Sequence, residues 1–409
     1  MCPVRVLKTI RKAEYAEVAA LFFLQSAAMS MWTVPLSTVL GFHHLGKITP
    51  YAFASTALAA FVSPLIFGAM ADRRTPPAKV LRGLSIATAM AMAIASLAVQ
   101  QDWNPWIVLA IIQLNALCFA PTNGILAAIV FAKLSDAQKE FGPLRAMGTI
   151  GWITGCCAIS LLNADTSPMA GYSGAAVWLI VCAFTFFLPA VEMPKSIARL
   201  SWHERFGLDA LKLLKNRDHR VVFITAALFN IPLAGFFPYA PPHLRDLGFK
   251  YTTAWMSFGQ MTEIIAMFSL GTLLLRWRLK WIFLAGLGCG VLRFAFSAMN
   301  TPATLLVGIT LHGASYTLVF ITAQIYLDQR IAVAWRARAQ SLMLLMTSGV
   351  GNLIGYLGNG WWFDACTKPA GTRWTIFWTG LSLTAAVVGI YFTIAYHGKG
   401  VPPGRQREA

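Results

Sequence analysis

Charged side chains are scarce in this chain. They make up 12% of its 409 residues, while 57% of the residues are apolar. Soluble domains carry roughly 25% charged residues. A water-soluble globule of this composition would consist almost entirely of core, so that class of protein is excluded. Acidic residues are the scarcer kind, with 16 Asp and Glu against 33 Lys and Arg and a formal net charge of +17.

The positive charge could indicate nucleic-acid binding, but basic residues that serve it cluster on one face or along one helix. Here they recur as short clusters between long apolar runs. This is the pattern of a membrane protein, in which Lys and Arg are retained on the cytoplasmic side. The expected surroundings are therefore a lipid bilayer, with no nucleic-acid partner.

Enzyme motifs are also missing. The sequence has no HExxH, no paired Cys motif with zinc spacing, no P-loop and no Gly-x-Ser-x-Gly. We therefore expect no enzyme activity, catalytic residue, metal or cofactor, and an ion gradient as the energy source. The seven cysteines lie mostly inside apolar stretches, which argues against a secreted disulfide protein.

Twelve apolar runs approach or exceed the roughly 20 residues that a membrane-spanning helix needs. The sequence thus predicts an all-α membrane protein with two six-helix bundles. The predicted spans are 14–36, 49–70, 78–100, 104–132, 144–163, 170–190, 219–240, 251–275, 279–298, 303–326, 338–363 and 372–396.

The distribution of positive charge predicts the orientation. With both termini in the cytoplasm, all but six of the 33 Lys and Arg fall inside or at the inner membrane border. The exceptions are the external Lys47, Arg245, Lys250, Lys368 and Arg373, and Arg293 within a span. We expect a multi-pass protein of the bacterial inner membrane.

The longest break between spans predicts the domain organisation. It divides the chain into an N-terminal bundle (1–190), a cytoplasmic linker (191–218) and a C-terminal bundle (219–409). In the linker, apolar residues at helical spacing with lysines between them predict either an amphipathic helix on the inner membrane surface or a solvated connector. Two such bundles favour a substrate site between them near the bilayer midplane.

A candidate gating motif lies between spans 2 and 3. It runs Gly68-Ala69-Met70-Ala71-Asp72-Arg73-Arg74 and resembles the signature of the major facilitator superfamily at that loop. Gly68 permits close helix approach, while Asp72 and Arg73 can pair with a neighbouring helix and hold the cytoplasmic side shut. A plain positive-inside loop would explain the arginines alone.

Ionisable residues at membrane depth are costly, so each is a functional candidate. Glu263 falls near the middle of span 8, with Gln260 on the same helix face. Burial favours the protonated carboxyl, so Glu263 can bind and release a proton near neutral pH. The alternative is a structural Glu paired to a neighbouring helix.

Span 5 carries a second polar stripe. Arg145, Thr149 and Trp152 share one helix face and supply a cation, a hydroxyl and an indole, which suit a polar ring-shaped solute. Gly148 and Gly151 allow close helix packing. Arg145 could instead be one more positive-inside residue.

Span 10 carries His312 and Tyr316 one helical turn apart, with Thr317 beside them. His312 is expected to line the cavity and to take part in proton coupling, although a lone His in an apolar helix is more often structural. Arg293 is expected to serve as a structural counter-charge. Span 7 and its outer end contain four prolines, Pro232, Pro238, Pro241 and Pro242, so we expect a broken helix that flexes during gating.

Over most of its length the chain resembles the bacterial nucleoside:proton symporters of the major facilitator superfamily and, more distantly, the lactose permease group. The resemblance depends on the order and spacing of six segments. These are Pro121-Thr122-Asn123-Gly124, Leu144-Arg145-Ala146-Met147-Gly148-Thr149-Ile150-Gly151, Gly207-Leu208-Asp209-Ala210, Gln260-Met261-Thr262-Glu263, Leu292-Arg293-Phe294-Ala295 and Arg336-Ala337-Arg338-Ala339-Gln340.

The resemblance implies a nucleoside site. It assigns to that site Arg145, Thr149, Trp152, Gln260 and Glu263, with His312 and Tyr316 at positions where the family carries aromatic residues. The chain departs from the family pattern at Thr317, where an acidic residue is expected, and at Ala234 and Phe237, where polar residues are expected. These departures bear on substrate identity, and the first also bears on the proton route.

The sequence as a whole predicts a proton-coupled nucleoside symporter that works by alternating access. Glu263 would couple the proton, Arg145 would anchor a polar edge, and Trp152 would stack on the solute ring. Transport of sugars or small aromatic acids is the alternative within the same class. Outside that class remain a non-transporting membrane sensor on the same fold and an intramembrane enzyme using Glu263 with His312.

Overall fold

A computed structural model describes residues 13–72, 75–134, 137–188 and 208–398. Most of these residues are helical. In the first half a 3-10 turn lies at Gly46–Ile48, and the helices are α1 (Ala13–Thr33), α2 (Leu36–Phe42), α3 (Thr49–Asp72), α4 (Pro77–Gln100), α5 (Pro105–Lys133), α6 (Ala137–Leu161) and α7 (Met169–Phe184).

The second half begins with a 3-10 helix at Leu208–Lys215. The helices that follow are α8 (Arg217–Leu233), α9 (Phe236–Asp246), α10 (Thr252–Trp255), α11 (Ser257–Arg276), α12 (Leu279–Ala298), α13 (Pro302–Tyr316), α14 (Thr322–Arg330), α15 (Val333–Leu344), α16 (Asn352–Cys366) and α17 (Trp374–Ala395). Two π-helical stretches, Thr317–Ile321 and Leu345–Gly351, join α13 to α14 and α15 to α16. A short antiparallel hairpin, Thr367–Lys368 with Gly371–Thr372, precedes α17.

Polar caps explain where several helices begin. The Asn104 side chain accepts a hydrogen bond from the backbone N–H of Trp106, and Pro105 occupies the first turn of α5. The Asn216 side chain accepts from the N–H groups of Asp218 and His219 at the start of α8. These contacts satisfy N–H groups that the helix itself leaves unpaired.

The all-α membrane class predicted from the sequence is confirmed. Ten helical stretches within the described ranges are long and apolar enough to cross a membrane. The two remaining predicted spans correspond to α3 and to the shorter α7. The predicted total of twelve is consistent with this result, although length and composition alone confirm only ten.

Contacts divide the described residues into two compact units. The first comprises the residues up to 188 together with Phe237–Ser257, and the second comprises 208–236 and 258–398. Span 7 is therefore shared, because α8 belongs to the second unit while almost all of α9 belongs to the first. The division predicted from the sequence places all of span 7 in the C-terminal bundle, so the grouping by contacts differs from it over Phe237–Ser257.

Each unit has its own packing. In the first unit α1 packs along α6 and α7, and α4 packs along α5 and α7. In the second unit α12 packs against α13 and α17, while α8 packs against α17 and α16. The largest fully buried side chains are mostly aromatic, for example Trp178 in the first unit and Trp378 in the second.

The linker segment predicted to be amphipathic is helical from Leu208 to Lys215, with 3-10 geometry. Asp209 forms an ion pair with Arg338 at 3.8 Å, and the Lys212 ammonium lies 5.9 Å from the centre of the Trp335 ring. The segment is therefore attached to the start of α15. The rest of the linker up to residue 207 lies outside the described residues.

Candidate functional site

The polar stripe predicted on span 5 lies on α6, which packs closely against α1. A Cβ at Gly151 would collide with the Phe23 carbonyl of α1, and one at Gly148 would come within 2.9 Å of Ser26 Oγ. Glycine is required at this crossing because the two backbones approach so closely. The packing role predicted for these glycines is confirmed.

The three predicted residues on α6 differ in exposure. Arg145 is exposed, while Thr149 and Trp152 are half-buried. The Trp152 ring lies 5.9 Å from the Phe237 ring of α9 at an interplanar angle of 55°. Phe237, one of the departures from the family pattern, thus forms an aromatic pair with Trp152, whose indole is expected to stack on the solute.

A second polar cluster of the first unit was missed in the sequence. The Gln25 amide of α1 is 1% exposed and donates to Thr122 Oγ1 at 3.0 Å and to Asn123 Oδ1 at 2.9 Å, both on α5. Its Oε1 atom has no hydrogen-bond partner among the described residues. Asn123 is exposed. The family-like segment from Pro121 to Gly124 was the available signal for this cluster.

The first unit also contains a pocket away from the α6 stripe. The space between its lining atoms is about 460 Å³, a figure that includes open solvent. Its lining includes Trp32, Phe53, Asn115, Phe119 and Trp178. The Trp178 Nε1 atom is buried without a hydrogen-bond partner in the described parts of the chain. The predicted residues Arg145, Thr149 and Trp152 are not in its lining.

In the second unit, Gln260 and Glu263 lie one turn apart on α11. Gln260 is buried and Glu263 is half-buried. Here α11 crosses α13 closely, because a Cβ at Gly313 would collide with the Glu263 backbone nitrogen and the Gly259 carbonyl. The Thr262 hydroxyl also donates to the Thr310 carbonyl of α13. The crossing therefore brings the backbone of Glu263 against the residue that follows His312.

His312 contacts Arg293 of α12. The distance between Arg293 Nη1 and His312 Nδ1 is 2.6 Å, and both side chains are buried. The guanidinium carbon of Arg293 lies 4.2 Å from the centre of the Phe236 ring and 4.7 Å from that of Phe294. The expectation that Arg293 serves as a structural counter-charge stays a prediction, since the partner observed for Nη1 is a histidine.

Aromatic rings continue from His312 along α13. The His312 ring stacks on Phe236 at 4.3 Å, and its centre lies 6.2 Å from that of Tyr316. Tyr316 is half-buried and lies 5.1 Å from Phe320. Thr317 is fully buried, and its hydroxyl has no hydrogen-bond partner within the described ranges. It opens a π-helical stretch, a distortion that is frequent at functional sites.

Span 7 is broken as its prolines predicted. Helix α8 ends at Leu233 and α9 begins at Phe236, with Pro232 in the last turn of α8. The outer segment Phe237–Ser257 is attached to the first unit through Asp165, whose Oδ1 accepts from the Thr253 N–H at 2.7 Å. Ser160 Oγ accepts from the Ala254 N–H at 3.0 Å.

The candidate gating motif falls at the end of α3. Gly68 and Asp72 lie in the last two turns of the helix, but their side chains are outside the described set. Arg73 lies outside the described residues altogether. Among the described residues, no cluster of His, Cys, Asp and Glu could hold a metal ion.

The structure thus places the predicted site residues in two sets. Arg145, Thr149 and Trp152 share one face of α6 in the first unit, and we call them the first half-site. The second half-site consists of residues on α11 and α13 and in the π-helical stretch that follows, namely Gln260, Glu263, His312, Tyr316 and Thr317.

The fold is that of a membrane transporter of the major facilitator type. The structure matches a crystal structure of a mutant of the nucleoside transporter NupG with a TM-score of 0.86 and 25% sequence identity, covering 94% of this chain and 100% of that one. The sequence profile of the nucleoside H+ symporters matches residues 14–400. The chain therefore belongs to the nucleoside H+ symporter family and is a transporter, not an enzyme.

Curated relatives agree with this assignment. The chain is 33% identical over 405 residues to the protein YegT of Escherichia coli (strain K12), covering 93% of both chains. It is 26% identical over 399 residues to the xanthosine permease of the same organism, covering 92% of this chain and 94% of the permease.

Proposed function

We propose that this chain carries nucleosides inward together with protons by alternating access. The observation that supports this most strongly is the match of the nucleoside H+ symporter profile to residues 14–400, nearly the whole chain. The xanthosine permease and NupG, both similar over more than nine-tenths of their length, are named for nucleoside transport. The two half-sites supply side chains suited to such a solute.

The first half-site binds the flat and polar parts of the nucleoside. Trp152 offers an indole face on which a base can stack, and Phe237 packs against that indole from α9. Thr149 supplies a hydroxyl one turn away. Arg145 is exposed and can donate several hydrogen bonds to carbonyl or hydroxyl oxygens.

The second half-site couples the proton. Glu263 is the residue that binds and releases it, because an ionisable side chain is costly at membrane depth and such residues mark proton or substrate paths. Gln260 on the same helix face supplies an amide, which can both donate and accept. His312 and Tyr316 line the solute path from α13, and Thr317 takes the place of the acidic residue that the family resemblance predicts.

Gating uses both ends of the transporter. Gly68, Asp72 and Arg73 hold the cytoplasmic side, and the break at residues 234–235 lets α8 and α9 move separately.

The proposed domain organisation has an N-terminal bundle at 1–190, a cytoplasmic linker at 191–218 and a C-terminal bundle at 219–409. The protein lies in the bacterial inner membrane with both termini in the cytoplasm, surrounded by lipid and without a nucleic-acid partner.

Substrate uptake into proteoliposomes tests the substrate class. An inward proton gradient should drive accumulation of radiolabelled uridine and adenosine, while lactose and phenylpropionate serve as parallel solutes. Protein-free liposomes provide the background. Accumulation of lactose or phenylpropionate without either nucleoside would overturn the proposed substrate while leaving the transporter fold untouched.

A further inference from the structure

The orientation of the Gln25 amide is fixed by Thr122. The single hydroxyl hydrogen of Thr122 goes to the backbone carbonyl of Phe119, with 2.7 Å between the two oxygens. Thr122 Oγ1 can therefore only accept from another side chain. The atom that faces it at 3.0 Å must be a donor, which is the Nε2 atom of Gln25. The hydrogen bonds themselves thus assign the nitrogen and the oxygen of this amide.

The same NH2 group fixes the orientation of Asn123. Gln25 Nε2 lies 2.9 Å from Asn123 Oδ1. Because Nε2 can only donate, Asn123 must present its oxygen to Gln25, and its own NH2 group points away from that bond. Gln25 is 1% exposed, whereas Asn123 is exposed. The accessible end of the Asn123 side chain is therefore a hydrogen-bond donor, with no acceptor for it in the described part of the chain.

Asn123 lies at membrane depth. It falls within the candidate span Pro105–Val130, about 15 Å along the helix axis from Lys133 at the end of α5. An amide whose N–H groups faced lipid would cost several kcal/mol, because hydrocarbon offers no acceptor. The exposed side of Asn123 therefore faces water rather than lipid. At this depth, water is found only where the protein encloses a cavity or a path.

The amide pair lies at the level of the first half-site. Gln25 is followed on α1 by Ser26, whose hydroxyl lies against Gly148 of α6. Gly148 in turn precedes Thr149 of the first half-site. The same turn of α1 thus contacts the α6 stripe on one side and Asn123 of α5 on the other.

We propose that Asn123 is a specificity-determining residue of the first half-site, which donates an N–H to an oxygen of the solute, and that Gln25 is its positioning residue. The inference rests on the proposed function. Gln25 Oε1 stays buried without a partner among the described residues, a cost that a residue serving packing alone would avoid. The gain is an accessible donor with a single orientation, which favours an oxygen acceptor over an N–H group at that point of the solute.

Asn123→Leu tests the donor. We expect the KM for uridine, measured by counterflow in proteoliposomes, to rise about two- to tenfold, the equivalent of one net hydrogen bond. Thr384→Leu is the control, because Thr384 is an exposed polar residue of α17 whose hydroxyl bonds to its own helix at Gly380. An Asn123→Leu protein with the KM of Thr384→Leu would overturn the proposal. Should Asn123→Leu not fold, Asn123→Ser withdraws the same donor through its shorter side chain.

A double-mutant cycle tests the positioning role of Gln25. If Gln25 acts through Asn123, Gln25→Leu should raise the KM no more than Asn123→Leu does, and the double variant should match Asn123→Leu alone. A merely structural role would not make the second substitution silent. Additive increases in KM would therefore show that Gln25 does not act through Asn123.

Analogues of uridine identify the oxygen that accepts from Asn123. The partner is a ribose hydroxyl if 2′-, 3′- or 5′-deoxyuridine has the same KM in the wild type and in Asn123→Leu. It is a base carbonyl if 2-thiouridine or 4-thiouridine behaves in this way, because sulfur is a weak acceptor. Full dependence on Asn123 for every analogue would overturn the proposal. Failure of the wild-type protein to transport any nucleoside would count against the proposed function instead.

Discussion

The carboxylate of Asp165, in the loop after α6, accepts a hydrogen bond from the backbone N–H of Thr253 in α10, with 2.7 Å between Oδ1 and N. Ser160 Oγ donates to the same oxygen at 2.9 Å. The backbone carbonyl of Asp165 in turn accepts from Thr38 Oγ1 of α2 at 2.5 Å. One residue thus joins three parts of the first unit and holds the segment after α9 in place.

Removing the Asp165 carboxylate should destabilise the first unit. Asp165→Ala leaves the buried N–H of Thr253 without an acceptor, which costs about 1–3 kcal/mol. The free energy of unfolding in detergent micelles measures this loss. Asp165→Asn retains an oxygen acceptor and should lose less.

Asp102→Asn is the matched control for the Asp165 variants. Asp102 is exposed and has φ 51°, a conformation that asparagine also adopts, so we expect a change within about 0.5 kcal/mol. Equal stability of Asp165→Ala and the control would contradict the role given to this carboxylate.

Adding one methyl group at the α11–α13 crossing should impair transport. In Gly313→Ala the new Cβ would overlap the Glu263 backbone, so the helices must separate at a cost of about 1–3 kcal/mol. We expect the initial rate of uridine uptake to fall at least about tenfold, the rate equivalent of roughly 1.4 kcal/mol.

Gly288→Ala is the control for this substitution, since a Cβ at Gly288 meets no heavy atom within 4 Å. Its uptake rate should remain near that of the wild type. A Gly313→Ala protein with wild-type uptake would show that the close crossing does not position Glu263.

Trp152 should contribute to nucleoside affinity through stacking. Trp152→Ala removes the indole face on which the base is proposed to stack, and loss of an aromatic stack worth about 0.5–1.5 kcal/mol raises KM roughly 2- to 13-fold. Trp152→Phe should recover most of the affinity. Trp361 is 74% exposed, so Trp361→Ala serves as the control. Equal KM values for Trp152→Ala and Trp361→Ala would remove Trp152 from the site.

The orientation can be tested with two exposed basic residues on opposite sides of the predicted membrane. Lys368 lies in the hairpin before α17, and Arg278 lies between α11 and α12. In spheroplasts, a membrane-impermeant maleimide should label Lys368→Cys but label Arg278→Cys only after permeabilisation, with the wild-type protein as background. The reverse pattern would place the termini outside.

Hydrophobic runs were sufficient to predict most helices. The predicted span 279–298 coincides with α12, and 104–132 differs from α5 by one residue at each end. The break in span 1 between α1 and α2 was not predicted, and neither were the π-helical stretches. At both features only the backbone hydrogen-bond pattern changes, while the apolar composition continues unchanged, so composition gives no signal. The sharing of span 7 between two units depends on tertiary contacts such as the one made by Asp165.

The candidate site was predictable as a set of residue types but not as a set of contacts. Glu263 and His312 stood out because ionisable residues are rare at membrane depth. Arg293 could be anticipated only as one possible partner of His312, because the two residues are 19 positions apart on different helices and the contact depends on how those helices pack. Gln25 was missed because a single amide in an apolar helix gives little signal until its partners on α5 are known.

The central claim is that Glu263 couples nucleoside movement to the proton. The most direct test compares wild-type and Glu263→Gln proteins in proteoliposomes, measuring uridine accumulation under an inward pH gradient and uridine counterflow without a gradient. We predict that Glu263→Gln loses accumulation while retaining counterflow, because a neutral amide keeps the shape of the site but cannot release a proton. Accumulation by Glu263→Gln at the wild-type level would contradict the account.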